Sequence, residues 1–412
     1  MEATDTRRTS PYQSQVRLLL AAAMVIFIFT VVVGIVNGTD IAEFDRKTIL
    51  THVHTGTLGW ITTSVFAAAL SLFGDRAMTG WRDTFARVLP AAFVVAAVAY
   101  NIAFLTTYGR ARPTIGSLAL LVIVGWVVWI FSAAGGTVLS VPRLGILAAV
   151  ATLLLGSLLG VLLGEMLATG STILPGEAYG SHPATMVVGF LIPVGMALAE
   201  WQLRPESLNE RATGLGWAQI GLPFIGGLCV TAGLLGDSTP LVALSLPFEI
   251  IGVGIFVYRL RSLLGRVRLG EGTARALALP TVPWLVTNIA LFVYLIGRFQ
   301  GDVGAAPPGL VIAIDHIMFI GVLSSTLFAQ VHRMVFGANS HPAVRVLFWT
   351  LNVGLLGFSL GLLFDVVVLK RVFTPIMGFG ILHGVGFFSA RLWTRDPGAG
   401  VGAHAPGETG AV

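Results

Sequence analysis

Two imidazoles two residues apart, His52 and His54, open the stretch THVHTGTLGW. Three more histidines, His182, His316 and His383, stand in strongly apolar surroundings. Neutral imidazole is the commonest metal ligand and a standard axial ligand of haem iron. An ionisable residue inside an apolar helix is costly, and so marks a functional site by default. The chain has no Cys-x-x-Cys-His, so a haem here would be b-type, held without thioether bonds. It has no His-Glu-x-x-His, which argues against a zinc hydrolase, and no glycine-rich phosphate loop. The single cysteine, Cys229, excludes a disulfide and a Cys-based zinc site. His332 and His341 read as surface residues.

The elements that must position these side chains follow from composition. Of 412 residues, 55% are hydrophobic and only 11% charged, against about 25% charged in a soluble domain. Mean hydropathy is +0.85. The chain is therefore an all-α polytopic membrane protein in contact with lipid. A spanning helix needs about 20 mostly apolar residues. Twelve runs qualify: 17–36, 48–73, 86–108, 115–134, 144–168, 181–201, 216–236, 240–259, 277–297, 308–330, 345–366 and 372–393. They are numbered helix 1 to helix 12. The 50 glycines suit close approach of membrane helices.

Residues 1–16 read as an N-terminal tail, 17–395 as the membrane domain and 396–412 as a disordered tail. With both termini cytoplasmic, 18 of the 25 Lys and Arg fall inside and 7 outside, as positive-inside orientation requires. The basic residues sit in loops between the apolar runs, so the pI near 9.8 reflects orientation and not nucleic-acid binding.

The opening stretch recurs. When HTGTLGWITTSVFAA from His54 is set on HIMFIGVLSSTLFAQ from His316, Gly59 falls on Gly321 and Phe66 on Phe328. The hydroxyls of Thr62, Thr63 and Ser64 fall on those of Ser324, Ser325 and Thr326. Helix 6 joins through HPATMVVGF: with Gly189 on Gly59, His182 falls on His52, and Ala184 replaces His54. The three glycines are 130 and then 132 residues apart. Helices 2, 6 and 10 thus read as equivalent members of three four-helix pseudo-repeats.

Two positions along a helix correspond to about 200° around its axis. His52 and His54 therefore serve different neighbours unless the helix is irregular. Gly59 and Gly321, five residues beyond His54 and His316, are expected to leave room for a flat macrocycle. Glu165, Glu249, Asp315 and Asp365 fall in or near the spans. Pairing with Arg or His is the expectation at Asp365, and Asp315 is a candidate to orient an imidazole.

Twelve helices with histidines on helices 2, 6 and 10 resemble subunit I of the haem-copper oxidase superfamily. The segment DHIMFIGVLSSTLFAQVHRMVFGANSHP, Asp315 to Pro342, is more similar still to the NnrS family of bacterial haem- and copper-containing membrane proteins linked to nitric oxide stress. The resemblance implies His54 and His316 as haem ligands and His182 as a copper ligand. His52 and His383 are further candidates, for metal and for cofactor. It also implies a bacterial-type inner membrane, a gas ligand such as nitric oxide or oxygen, and a quinol or other redox partner. Oxidases carry a histidine pair on helix 7 and a second histidine on helix 10. This chain has neither, so a full oxygen-reducing centre is not expected. The alternative is a cofactor-free multi-pass transporter, and a third reading is a carrier of haem or copper.

Overall fold

In lipid, a backbone must satisfy its own hydrogen bonds, and an α-helix does so within one segment. Each of the twelve apolar runs takes that course. The computed structural model describes residues 10–299 and 304–394, so the expected disorder of 396–412 lies outside the described residues. Within them, twelve helices are long and apolar enough to cross a membrane. Helices 1 to 4 are Gln13–Gly38, Arg46–Phe73, Trp81–Thr106 and Ala111–Ala134. Helices 5 to 8 are Val141–Thr169, Ala178–Leu203, Gly214–Leu235 and Thr239–Leu264. Helices 9 to 12 are Ala274–Phe299, Pro308–Phe336, Pro342–Leu363 and Val367–Trp393.

Several helices outrun their apolar stretches. Helix 10 continues six residues past the expected 330 through His332 and Arg333, and helix 8 continues through Arg261 to Leu264. Backbone hydrogen bonding does not stop where hydrophobicity does. Helix 1 begins at Gln13, so the tail is shorter than 1–16.

Three helices make the centre. In helices 2, 6 and 10, between 72 and 83% of the apolar window is buried; in the other nine the share is 28 to 56%. Helices 1, 5 and 9 each pack against the central helix that follows them. Helices 3 and 4, 7 and 8, and 11 and 12 form hairpins. Aromatic packing fills the middle: Phe66 stacks on Trp126 at 4.5 Å, and Phe27 on Trp60 at 4.7 Å.

All three central helices carry a wide turn of π-helical geometry, at Thr55–Thr62, Thr185–Leu191 and Ile317–Ser324. These segments begin at residues 130 and then 132 apart, the spacing of the three glycines. A wide turn leaves carbonyls without their usual partners, and three of the repeated hydroxyls recover them. Thr62 and Thr63 donate to the carbonyls of Thr57 and Leu58 at 2.9 and 3.0 Å. Ser324 donates to that of Phe319 at 2.8 Å. Helix 6 has Pro193 there, which lacks an N–H and so fits a turn already short of one bond. Such π-segments occur frequently at functional sites.

Candidate functional site

The N-terminal part of helix 2 is a regular α-helix over Arg46–His54, capped by Asp45, which accepts from the Thr48 N–H at 2.8 Å. Its two imidazoles accordingly point to different neighbours. His52 turns toward helices 1 and 10: its Nδ1 meets the Thr30 carbonyl at 2.8 Å, and its ring lies near that of His316. His54 turns toward helix 3, stacking on Phe104 at 4.2 Å and meeting Tyr100 edge-on at 5.6 Å.

His316 therefore meets His52, and not the His54 that the register pairs it with. The two ring centroids are 6.5 Å apart, with planes inclined by 25°. Phe358 of helix 11 also lies against His316, with ring centroids 5.0 Å apart.

Four histidines, at 52, 54, 182 and 316, share one hydrogen-bonding habit. Each gives Nδ1 to a backbone carbonyl: Thr30 for His52, Leu50 for His54, Gly156 for His182 and Ile312 for His316, all at 2.7 or 2.8 Å. A carbonyl only accepts, so Nδ1 carries the proton, and in a neutral ring Nε2 keeps its lone pair. No Nε2 among the four makes a hydrogen bond with a described residue. An imidazole oriented through Nδ1 with Nε2 left bare is the usual arrangement of a metal-ligating histidine.

Between helices 1, 2 and 10 lies a cleft of about 380 Å³ lined by His52 and His316, within the size range of small-molecule sites, about 300–1,000 Å³. Trp60 and Ser324, joined by a 2.9 Å hydrogen bond, tie helix 2 to helix 10 along its wall. Asp315 and Lys370 are its charged lining residues. Lys370 and Arg371 of helix 12 hold Asp40, beyond the end of helix 1, at 2.7 and 2.9 Å. Hydrogen bonds from Lys370 and then Arg371 keep the Asp40 carboxyl below its ordinary value.

The space at Gly59 and Gly321 has another use than the one expected. A Cβ on Gly59 would strike the Ile26 side chain, and one on Gly321 would meet Trp284 at 2.6 Å. Gly189 is likewise closed by Thr152 at 3.0 Å. These glycines admit side chains of helices 1, 9 and 5, and no room for a ring remains beside them. The glycines that lie against imidazoles are Gly34, 3.3 Å from His52, and Gly160, 2.8 Å from His182.

His383 stands apart from the cluster. Its Nε2 is taken by the Ala343 carbonyl at the start of helix 11, 3.0 Å away, and Phe379 and Phe387 flank its ring. That is the side of the N-terminus, opposite the other four. His332 is fully buried, not at the surface, because helix 10 runs on past it and its Nε2 meets the Gly272 carbonyl at 3.1 Å. Asp365 is an exposed turn residue with φ 53° and makes no ion pair with a described residue. Among the described residues, no three His, Cys, Asp or Glu side chains converge to hold a metal ion by themselves. Neither His52 nor His182 belongs to such a group of three among the described residues.

One buried polar assembly has no counterpart in the sequence reading. Glu200, fully buried at the end of helix 6, accepts twice from Arg259 of helix 8 at 2.7 Å and once from Gln219 of helix 7 at 3.0 Å. Arg259 also donates to Gln219. The three residues are remote in the chain, and the only signal was an acid and a base at the ends of apolar runs on one side. In comparison with known proteins, the chain matches no family model and no curated protein.

Proposed function

We propose that this polytopic membrane protein binds a b-type haem between helices 2 and 10, with His52 and His316 as the axial ligands. The observation that carries the reading is the spacing of their two rings, each held through Nδ1 with no hydrogen bond from Nε2 to a described residue. A metal–imidazole bond of about 2 Å on each side, plus a ring radius of about 1.1 Å, sets two axial rings roughly 6.2 Å apart. The centroids here are 6.5 Å apart. A ligand set of two suits a porphyrin, which brings four nitrogens of its own, better than a bare ion. Lys370 and Arg371 share one carboxylate, Asp40, so the mouth of the cleft keeps positive charge for the carboxylates such a ring carries. The Thr30 and Ile312 carbonyls fix the orientation of the two imidazoles and raise their basicity.

A haem held there supplies a one-electron iron couple. His52 and His316 would both hold such a haem, and the chemistry it would then supply is electron transfer, with a quinol as one class of donor, in preference to gas binding. The test is the visible absorbance of protein purified after expression with adequate haem. A Soret band is expected, strongly reduced in His52→Ala and His316→Ala and unchanged in His341→Ala. A wild-type protein without Soret absorbance would remove the haem reading and restore the transporter.

A further inference from the structure

We propose that a large cavity on the side of the N-terminus binds an organic phosphate that carries a free hydroxyl. The site is separate from the cleft of His52 and His316 and does not rest on the haem reading.

The cavity measures about 980 Å³, at the upper end of the range of small-molecule sites, about 300–1,000 Å³. It lies where helices 1, 2, 6, 9 and 10 meet the segment that follows helix 8. Three arginines from separate elements line it: Arg266 from that segment, Arg275 from helix 9 and Arg333 from helix 10. None of them makes an ion pair with a described residue. Arg333 is held in place by Gln202, whose side-chain and backbone carbonyls accept from its Nε and Nη2 at 2.6 and 2.7 Å. Its Nη1 makes no hydrogen bond with a described residue.

Basic residues on this side are what membrane orientation requires, and by themselves they name no ligand. Gln330 is not explained by orientation. It lines the cavity nearly one turn of helix 10 further into the bundle than Arg333, and it is only 4% exposed. Neither its amide nitrogen nor its amide oxygen has a hydrogen-bond partner among the described residues. Buried polar atoms are nearly always paired, so a partner for both atoms is missing at this wall.

The lining selects the ligand. Glu271 is the one carboxylate among the described lining residues, against three arginines, which leaves a surplus of two positive charges. A guanidinium matches the oxygens of carboxylate and phosphate alike. A phosphate monoester carries about −1.5 to −2 at neutral pH, which a single carboxylate does not. The Gln330 amide offers a donor and an acceptor together. Its nitrogen can donate to a phosphate oxygen, but its oxygen needs a donor, and a hydroxyl on the ligand supplies one. Leu20 and Trp201 give the cavity an apolar wall for a carbon skeleton. Such a group comes free in solution, as in a phosphorylated polyol, or as the headgroup of a lipid.

The experiment is the melting temperature of the full-length protein in phosphatidylcholine nanodiscs. One arm titrates glycerol 3-phosphate, with glycerol as the uncharged comparison. The other compares plain discs with discs containing lysophosphatidic acid, which carries the same phosphate and hydroxyl on an acyl chain. A saturable rise with glycerol 3-phosphate and none with glycerol supports the site and a free ligand. A rise confined to the lysophosphatidic acid discs supports the site and a lipid headgroup. Either rise should need about tenfold more ligand in Arg266→Gln and in Arg275→Gln, each of which removes a charged hydrogen-bond donor. Both side chains are exposed, so these variants should fold. The rise should also be lost in Gln330→Leu, whose ligand-free melting temperature should not fall, because an orphaned amide gives way to an apolar group. Arg261→Gln should behave as the wild type, since that guanidinium lies outside the cavity, on the Tyr258 ring. No rise with either probe would overturn the site. So would a rise that persists unchanged in Arg266→Gln and Arg275→Gln, or one weakened as much in Arg261→Gln.

Discussion

Two polar clusters on opposite faces of this bundle use their groups in opposite ways. On the side of the N-terminus, Glu200, Arg259 and Gln219 satisfy one another, with every carboxylate oxygen of Glu200 engaged. Arg143 likewise spends its guanidinium on the carbonyls of Leu72, Val138 and Leu208, at 2.8 to 3.0 Å. On the far side, four imidazoles use one nitrogen each and leave the other bare. The first pattern locks helices together. The second keeps donor atoms oriented and unspent, which is what a ligand site requires and what stability alone does not.

That contrast is broken most severely from the locked side. Removing one member of a buried ion pair leaves the other charge uncompensated, at a cost of about 3–5 kcal/mol. Glu200→Ala should show this as a large fall in the melting temperature of the purified protein. Adding Arg259→Leu should recover part of it. A fall no greater than that of a surface substitution would mean that the pair does not hold helices 6 and 8.

The next effect is steric. A Cβ on Gly227 would lie 2.5 Å from the Cα of Gly189, where the backbones of helices 7 and 6 touch. Backbone cannot step aside as a side chain can, so Gly227→Ala should cost about 1–3 kcal/mol. Thermal unfolding of that variant beside Gly254→Ala, which meets nothing within 4 Å, isolates the contact.

The ligand side should be cheaper to break. In haem-free protein, His316→Ala loses one hydrogen bond to its own helix, worth about 1 kcal/mol. Its melting temperature should stay near that of the wild type, in contrast with Glu200→Ala. A collapse comparable with Glu200→Ala would make His316 a structural residue.

The smallest effect is at the mouth of the cleft. Asp40 has its carboxyl depressed by hydrogen bonds from Lys370 and then Arg371. A depressed acid contributes stability above its ordinary value, 3.8 here, and loses that contribution as pH falls through the lower folded value. Asp40→Asn should therefore flatten the melting temperature on the acid side of about pH 4 and change little at neutral pH.

Much of this architecture was legible, because lipid leaves helices little choice. Twelve apolar runs gave twelve helices, and the histidine register placed helices 2, 6 and 10 together before any packing was known. The pairing was not legible. Equivalent positions on neighbouring helices suggest His54 with His316, but helices arranged around a centre present different faces to one another. The outward turn of one helix meets a different turn of the next, so His316 finds His52. The repeated hydroxyls were visible as letters, but their service to wide turns was not, since π-geometry has no simple periodic signature. Glu200 and Arg259 are 59 residues apart, and nothing local announces that they touch.

The most direct measurement of the central claim is electron paramagnetic resonance of the oxidised, haem-loaded protein. Two opposed imidazoles on one iron give a low-spin ferric signal. That signal should convert to high spin, or vanish with the haem, in His52→Ala and in His316→Ala, and persist in His383→Ala, whose Nε2 is already taken by the Ala343 carbonyl. An unchanged low-spin signal in both His52→Ala and His316→Ala would contradict the opposition of these two side chains across a single iron.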